Sequence, residues 1–336
     1  MDRLAALEYW LAGRHGAGGF SLAPASADAS FRRYFRVTLP DGATRIAMDA
    51  PPEHEDCRPF IRVAGLLAEA GLNAPRILAQ DLEQGFLLLS DLGRDTFLAA
   101  MRAPGVDAER IDAMYRDAIG ALVQWQAASR PDVLPPYDDA LLRRELALFP
   151  DWYVARHLGA TLTPTQAQDL AKTFDLIVAS NLAQPRVYVH RDYMPRNLMV
   201  SEPSPGILDF QDAVYGPITY DVASLFKDAF ISWPEERVLD WTVRYWQQAK
   251  RAGLPVDPDF GAFYRDFEWM GLQRHLKVLG IFARLRHRDG KSGYVEDTPR
   301  FVAYVRAVAA RYNGLAPLLR LFDALDGVAA QRGYTF

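Results

Sequence analysis

Between Val187 and Val200 the chain reads VYVHRDYMPRNLMV, and 12 residues beyond Asn197 stands Asp209 in ILDFQDA. The apolar, β-branched runs Arg186 to His190 and Gly206 to Phe210 predict two short strands. His190, Asp192 and Asn197 then lie on a loop leaving one strand, and Asp209 at the end of its neighbour. A carboxylate beside a substrate hydroxyl orients it and accepts its proton. An amide oxygen and a second carboxylate are hard ligands suited to Mg²⁺ bridging phosphates. Phosphoryl transfer needs this combination of one base and two metal ligands.

The rest of the chain must position that loop. It has 336 residues, half of them hydrophobic, and 38 Lys plus Arg against 42 Asp plus Glu. That is enough apolar material for one or two cores, and a net charge of -4 gives no global field for gripping nucleic acid or an anionic membrane. Cys57 is the only cysteine, which excludes an internal disulfide and a cysteine-rich zinc site. The start, MDRLAALEYWLAGRHG, carries charges within its apolar stretch and reads as an amphipathic helix, not a signal peptide. A soluble cytoplasmic protein is expected, with no nucleic-acid, membrane or obligate protein partner.

The texture changes near residue 90. Before it come β-type runs at Phe31 to Leu39, Thr44 to Met48 and Gly85 to Leu89, with a Pro40-Asp41-Gly42 turn and one helix over Arg58 to Ala70. After it the pattern is mostly helical. Asp107 reads as a cap for an apolar stripe from Ile111 to Trp125, and Thr163-Pro164 opens a helix that Pro185 stops. The fold class expected is α+β and bilobal: a small sheet-plus-helix lobe over 1–90, and a larger, mainly helical lobe over 91–336 that carries catalysis and substrate. A cleft between lobes is the default place for a ligand.

The run His190-Arg191-Asp192 to Asn197, followed by Asp209-Phe210, resembles the catalytic loop and metal-binding D-F-x of the protein-kinase-like fold. Its Pro195 and the Asp209-Phe210-Gln211-Asp212 that follows resemble the aminoglycoside phosphotransferase and choline kinase branch. The resemblance implies that Asp192 is the catalytic base and His190 a loop-ordering residue. Asn197 and Asp209 become the Mg²⁺ ligands, ATP the phosphoryl donor, and Asp221 a buttress for the loop from a helix start. It also implies adenine recognition by backbone around Leu88, Leu89 and Ser90, with Asp91 pointing towards the ribose or the substrate mouth.

The amino-terminal part departs from that pattern. Ser26 to Val37 contains no glycine to cradle phosphates, and Arg45 to Pro51 aligns Met48 or Asp49 with the position of the family's strand-three lysine. Another cation must meet the phosphates, and Arg32 and Arg33 are the candidates because guanidinium binds phosphate bidentately. Adjacent strand residues point to opposite faces, so one of the two is expected to matter. Glu53, Glu55 and Glu69 all lie near the expected helix acid.

Arg274, Lys277, Arg284 and Arg288 fall in one helical arc, with Leu272, Leu276, Leu279 and Ala283 opposite. A basic face over a core face is expected, with Arg274 and Lys277, together with Asp91 and Asp212, offered to the acceptor. Asp28 to Arg36, Met48 to Pro52, Glu145 to Tyr153 and the stretch from Gln273 to Lys291 resemble the bacterial kinases that act on the anomeric hydroxyl of N-acetylmuramate and N-acetylglucosamine. That resemblance implies a small amino sugar as substrate. An aminoglycoside, choline or other hydroxyl kinase, and a silent nucleotide-binding regulator, are the competing readings.

Overall fold

A computed structural model describes residues 2–16, 18–26 and 31–333, with side chains described to residue 327. Residues 27–30, part of the glycine-free segment Ser26 to Val37, lie outside the described residues. By internal contacts the chain forms two compact units, Met1–Ala121 with Pro195–Asp212, and Leu122–Met194 with Ala213–Phe336.

The first unit carries α1 (Arg3–His15), β1 (Ser21–Ser26), β2 (Arg33–Thr38), β3 (Thr44–Asp49), α2 (Arg58–Glu69), β4 (Ile77–Asp81), β5 (Phe86–Ser90), α3 (Phe97–Arg102) and the first part of α4 (Ala108–Ala127). Its five-stranded antiparallel sheet has the order β1-β2-β3-β5-β4. The central strands are the runs expected from β-branched and apolar residues. The two that sequence analysis left out, β1 and β4, are the edges. An edge strand pairs on one side only and tolerates Pro24 and an irregular register, so its residues carry a weak signal. Leu7, Trp10 and Leu11 of α1 pack on Val37, Ala47, Phe86 and Leu88 of the sheet. Gly85, at φ 73°, turns the chain into β5 where a Cβ would stand 1.9 Å from the Ala50 carbonyl oxygen.

Residues 195–212 belong to this unit. They form a 3₁₀ turn at Pro195–Asn197 and the short pair β7 (Leu198–Met199) and β8 (Gly206–Ile207). Phe210 packs on Phe60 of α2 with ring centroids 4.7 Å apart, and Asn73 bridges to Gly206. The strand expected to reach Phe210 stops at Ile207, because Asp209 takes a left-handed φ of 61° that no ladder accommodates.

The second unit contains the antiparallel pair β6 (Arg186–Val189) and β9 (Val214–Pro217), with α5 (Asp139–Leu148), a π-helical stretch at Phe149–His157, α6 (Pro164–Ala183), α7 (Tyr220–Phe226), α8 (Glu235–Arg251), α9 (Phe260–His287), α10 (Thr298–Ala309) and α11 (Ala316–Gly333). The cap at Thr163 is a full capping box with Gln166. The 28-residue α9 runs through the middle of these helices. Gly280 lets it pass close to α5, since a Cβ there would lie 2.3 Å from the Leu148 carbonyl. The expected division of α9 into a basic and a core face is corrected: Arg274 and Lys277 are only 2% and 7% exposed, while Arg288 is open to solvent. Neighbouring elements cover α9 on every side over Phe267–Gly280, so its cations there are interior groups. No helix among the described residues is long and apolar enough to cross a membrane.

Candidate active site

The head of the loop lies in the second unit. Leaving β6, the chain reverses at Arg191, whose φ of 77° is uncommon for a residue with a Cβ and tends to mark functional backbone. The turn aims two successive N–H groups at one carboxylate: His190 N donates to Asp221 Oδ2 at 2.6 Å and Arg191 N to Asp221 Oδ1 at 3.0 Å. Asp221 is fully buried in the first turn of α7. Burial pushes its carboxyl up to about 7, against the pull of these two N–H groups. Asp192 N donates to His190 Nδ1 at 3.3 Å, so the imidazole accepts through Nδ1. The buried His190 ring meets Tyr193 edge-on. Asp192 itself is half-buried.

Arg191 ends on a side chain that sequence analysis did not single out. Glu145 Oε1 accepts from Arg191 Nη2 at 2.6 Å and pairs with Lys277 Nζ at 3.1 Å. Its Oε2 accepts from Tyr137 Oη and, at 3.0 Å, from Gln273 Nε2. Burial would raise the Glu145 carboxyl, but the charges of Lys277 and Arg191 and the two neutral donors hold it down at about 2. Lys277 also donates to Tyr220 Oη at 2.9 Å. Burial opposes its charge, and Glu145, Tyr220 and the nearby Asp192 keep it protonated. One acid between two cations leaves a net positive charge beside Asp192. The signal for Glu145 was an acid on the apolar stripe of α5, three residues after Leu142 and four before Phe149. Arg274 reaches towards Met194, with Nη2 4.0 Å from the sulfur, and lies near Asp221 and Asp228.

The metal-type residues lie in the first unit. The β7–β8 ladder pairs Leu198 with Ile207, and Leu208 N donates to the Asn197 carbonyl at 2.9 Å. Residues 197 and 209 are thereby set side by side, with Asn197 Nδ2 3.4 Å from Asp209 Oδ2. Gln211 Nε2 donates to Asp209 Oδ1 at 2.9 Å. An amide and a carboxylate so juxtaposed fit Mg²⁺, which takes few protein oxygens and keeps places for water and phosphate.

The two arginines of the first hairpin part company. Arg33 is opposite Asp49 in the β2–β3 register and bonds it through Nε at 3.0 Å and Nη2 at 2.5 Å. Arg3 of α1 takes the other carboxylate oxygen at 2.9 and 2.5 Å. Asp49 is fully buried between them. Arg32, with a side chain 13% exposed, pairs instead with Glu55 at 2.8 Å. Burial works against its charge, but Tyr34, Glu55, Asp212 and Asp209 together raise its pKa.

Leu88 and Leu89 lie within β5 between β3 and β4, and Ser90 N donates to the Arg76 carbonyl at 2.9 Å. Asp91 is engaged by Arg36 through Nε at 2.6 Å and Nη2 at 3.1 Å, and by Gly93 N at 3.0 Å. Burial pushes Asp91 up, and these bonds outweigh it. Its carboxylate braces the exit from β5. Asp212 is exposed.

The sequence profile described as "Phosphotransferase enzyme family" matches residues 21–261. An N-acetylmuramate/N-acetylglucosamine kinase of Pseudomonas aeruginosa is 57% identical over 304 residues, covering 90% of this chain and 88% of the relative. One from Neisseria meningitidis is 50% identical over 338 residues, covering 100% of both. Among solved structures, the choline kinase of Streptococcus pneumoniae superposes with a TM-score of 0.62 at 12% identity, covering 90% of this chain and 99% of that one. A thermostable aminoglycoside phosphotransferase does so with a TM-score of 0.59 at 17% identity, covering 89% and 98%. At such identities the likeness speaks for a common kinase-like fold.

Proposed function

Because this chain belongs to the phosphotransferase enzyme family, we propose that it transfers the γ-phosphoryl group of ATP to the anomeric C1 hydroxyl of N-acetylmuramate and N-acetylglucosamine, yielding the sugar 1-phosphate in the cytoplasm during cell-wall recycling. The observation that carries the substrate is identity of half or more, along nearly the whole chain, to kinases of these two sugars.

In this reading Asp192 accepts the proton of the C1 hydroxyl while the sugar O1–Pγ bond forms and the bond from Pγ to the β,γ-bridging oxygen breaks, releasing ADP. An anomeric hydroxyl is more acidic than an ordinary alcohol, so a carboxylate suffices as base. Asp221 holds the two N–H groups just before Asp192, and His190 holds the Asp192 amide, so the base is positioned through the backbone. Arg191 and Lys277, tied by Glu145, supply positive charge near the base. Asn197 and Asp209 would hold Mg²⁺, which neutralises phosphate charge when bound. Adenine would be read by backbone at the end of β5.

The test is ATP-dependent phosphorylation of N-acetylmuramate, N-acetylglucosamine, choline and kanamycin side by side, with ³¹P and ¹³C NMR locating the phosphate. The expected product is the 1-phosphate of both amino sugars. Phosphorylation of neither sugar, or at C6, would overturn the proposal.

A further inference from the structure

Met48 or Asp49 stands where protein kinases carry the phosphate-binding lysine, and neither is a cation. Asp49 is buried and neutralised by Arg3 and Arg33, so strand β3 offers the nucleotide no cation at that place, and Arg33 is already committed. We infer that Arg32, ordered by Glu55, is the cation that contacts the α/β-phosphates of ATP, and that Arg32 and Glu55 together do the work of the lysine–glutamate pair found in protein kinases.

Four observations within the first unit converge on this pair. Arg32 immediately precedes β2, in the segment between the first two strands where the family's phosphate loop is expected. Its guanidinium is paired at 2.8 Å with an acid that lies just before α2, the kind of helix-side partner that holds the kinase lysine. The carboxylates of Asp209 and Asp212 are close enough to act on its charge, which places Arg32 near the residues assigned to Mg²⁺. Of the three acids expected near this helix, Glu55 is paired with this arginine. A guanidinium has five donors in a planar fork, so bonding to Glu55 is compatible with gripping a phosphate. An anion entering there would also be shielded from Asp209 and Asp212 by the same cation.

The inference rests on the kinase reading, and the experiment separates the two. Wild-type protein that phosphorylates neither sugar defeats the reading itself. With active wild type, Arg32→Ala is expected to raise the KM for ATP by ~10-fold or more, as loss of a charge-assisted bond implies, with the KM for sugar changing less than about 2-fold. Calorimetric titration should show ADP affinity reduced by a similar factor and adenosine affinity unchanged, because only the phosphates meet Arg32; a general loss of structure would weaken both. Arg32→Lys, which keeps the charge but not the fork, should give intermediate ADP affinity and serves if the alanine variant does not fold. Wild-type ADP affinity in both Arg32 variants, equal loss of ADP and adenosine, or an effect confined to Arg33→Ala would overturn the assignment.

Discussion

Replacing Glu145 with glutamine keeps the shape of the side chain and removes only its charge, at a site where every neighbour is a donor. Arg191, Lys277, Tyr137 and Gln273 all point N–H or O–H groups at this carboxylate, so an amide in its place faces two cations without a counter-charge, and its NH₂ is accepted only if Tyr137 or Gln273 turns round. The carboxyl is held at about 2 against a usual 4.5, a difference worth ~3 kcal/mol of folding stability at pH 7. That agrees with the 3–5 kcal/mol cost of breaking a buried pair from one side.

The sign follows from a pKa lower in the folded than in the unfolded chain. The contribution is complete above about 4.5 and is lost as the pH falls through about 2. Urea unfolding of wild type and Glu145→Gln should therefore give a gap of ~3 kcal/mol at pH 7 and only ~1 kcal/mol at pH 3. Adding Lys277→Met to Glu145→Gln should recover part of the loss, since the second change removes the orphaned ammonium. A pH 7 gap below ~1 kcal/mol, or one as large at pH 3 as at pH 7, would refute the electrostatic account.

Asp192→Asn should lower kcat by ~10²–10⁴-fold, the usual contribution of a general base, with ADP affinity in Mg²⁺ retained; near-normal turnover would remove the base assignment. Asp209→Ala should lose ~10²-fold or more in kcat and also the Mg²⁺ dependence of ADP binding by calorimetry, and an unchanged Mg²⁺ dependence would count against its role. Gly280→Ala places a methyl 2.3 Å from the Leu148 carbonyl and should cost ~1–3 kcal/mol by forcing α9 away from α5, seen as a drop in Tm; an unchanged Tm would show that the two helices separate freely.

The candidate site was legible in the sequence because the residues proposed for it sit in two short runs. Asp192, Asn197 and Asp209 are held by local backbone geometry, so their spacing survives as a motif, and Asp221 could be matched to it from the helix start it occupies. Strand alternation also implied that one of Arg32 and Arg33 would matter. Which one Asp49 ties up depends on the pairing of Asp49 with Arg33 across the hairpin, and on Arg3 and Glu55, from a helix before it and a loop after it. The same limit applied to α9, where helical periodicity sorted Arg274 and Lys277 onto an outer basic face. A 28-residue helix threaded through a bundle has no outer face along its middle, and a lysine can stay charged there because an acid from α5 meets it. Periodicity reports one element's own asymmetry. Which charge is buried, and against what, is a property of contacts between residues as far apart as Glu145 and Lys277, and only the tertiary structure decides it.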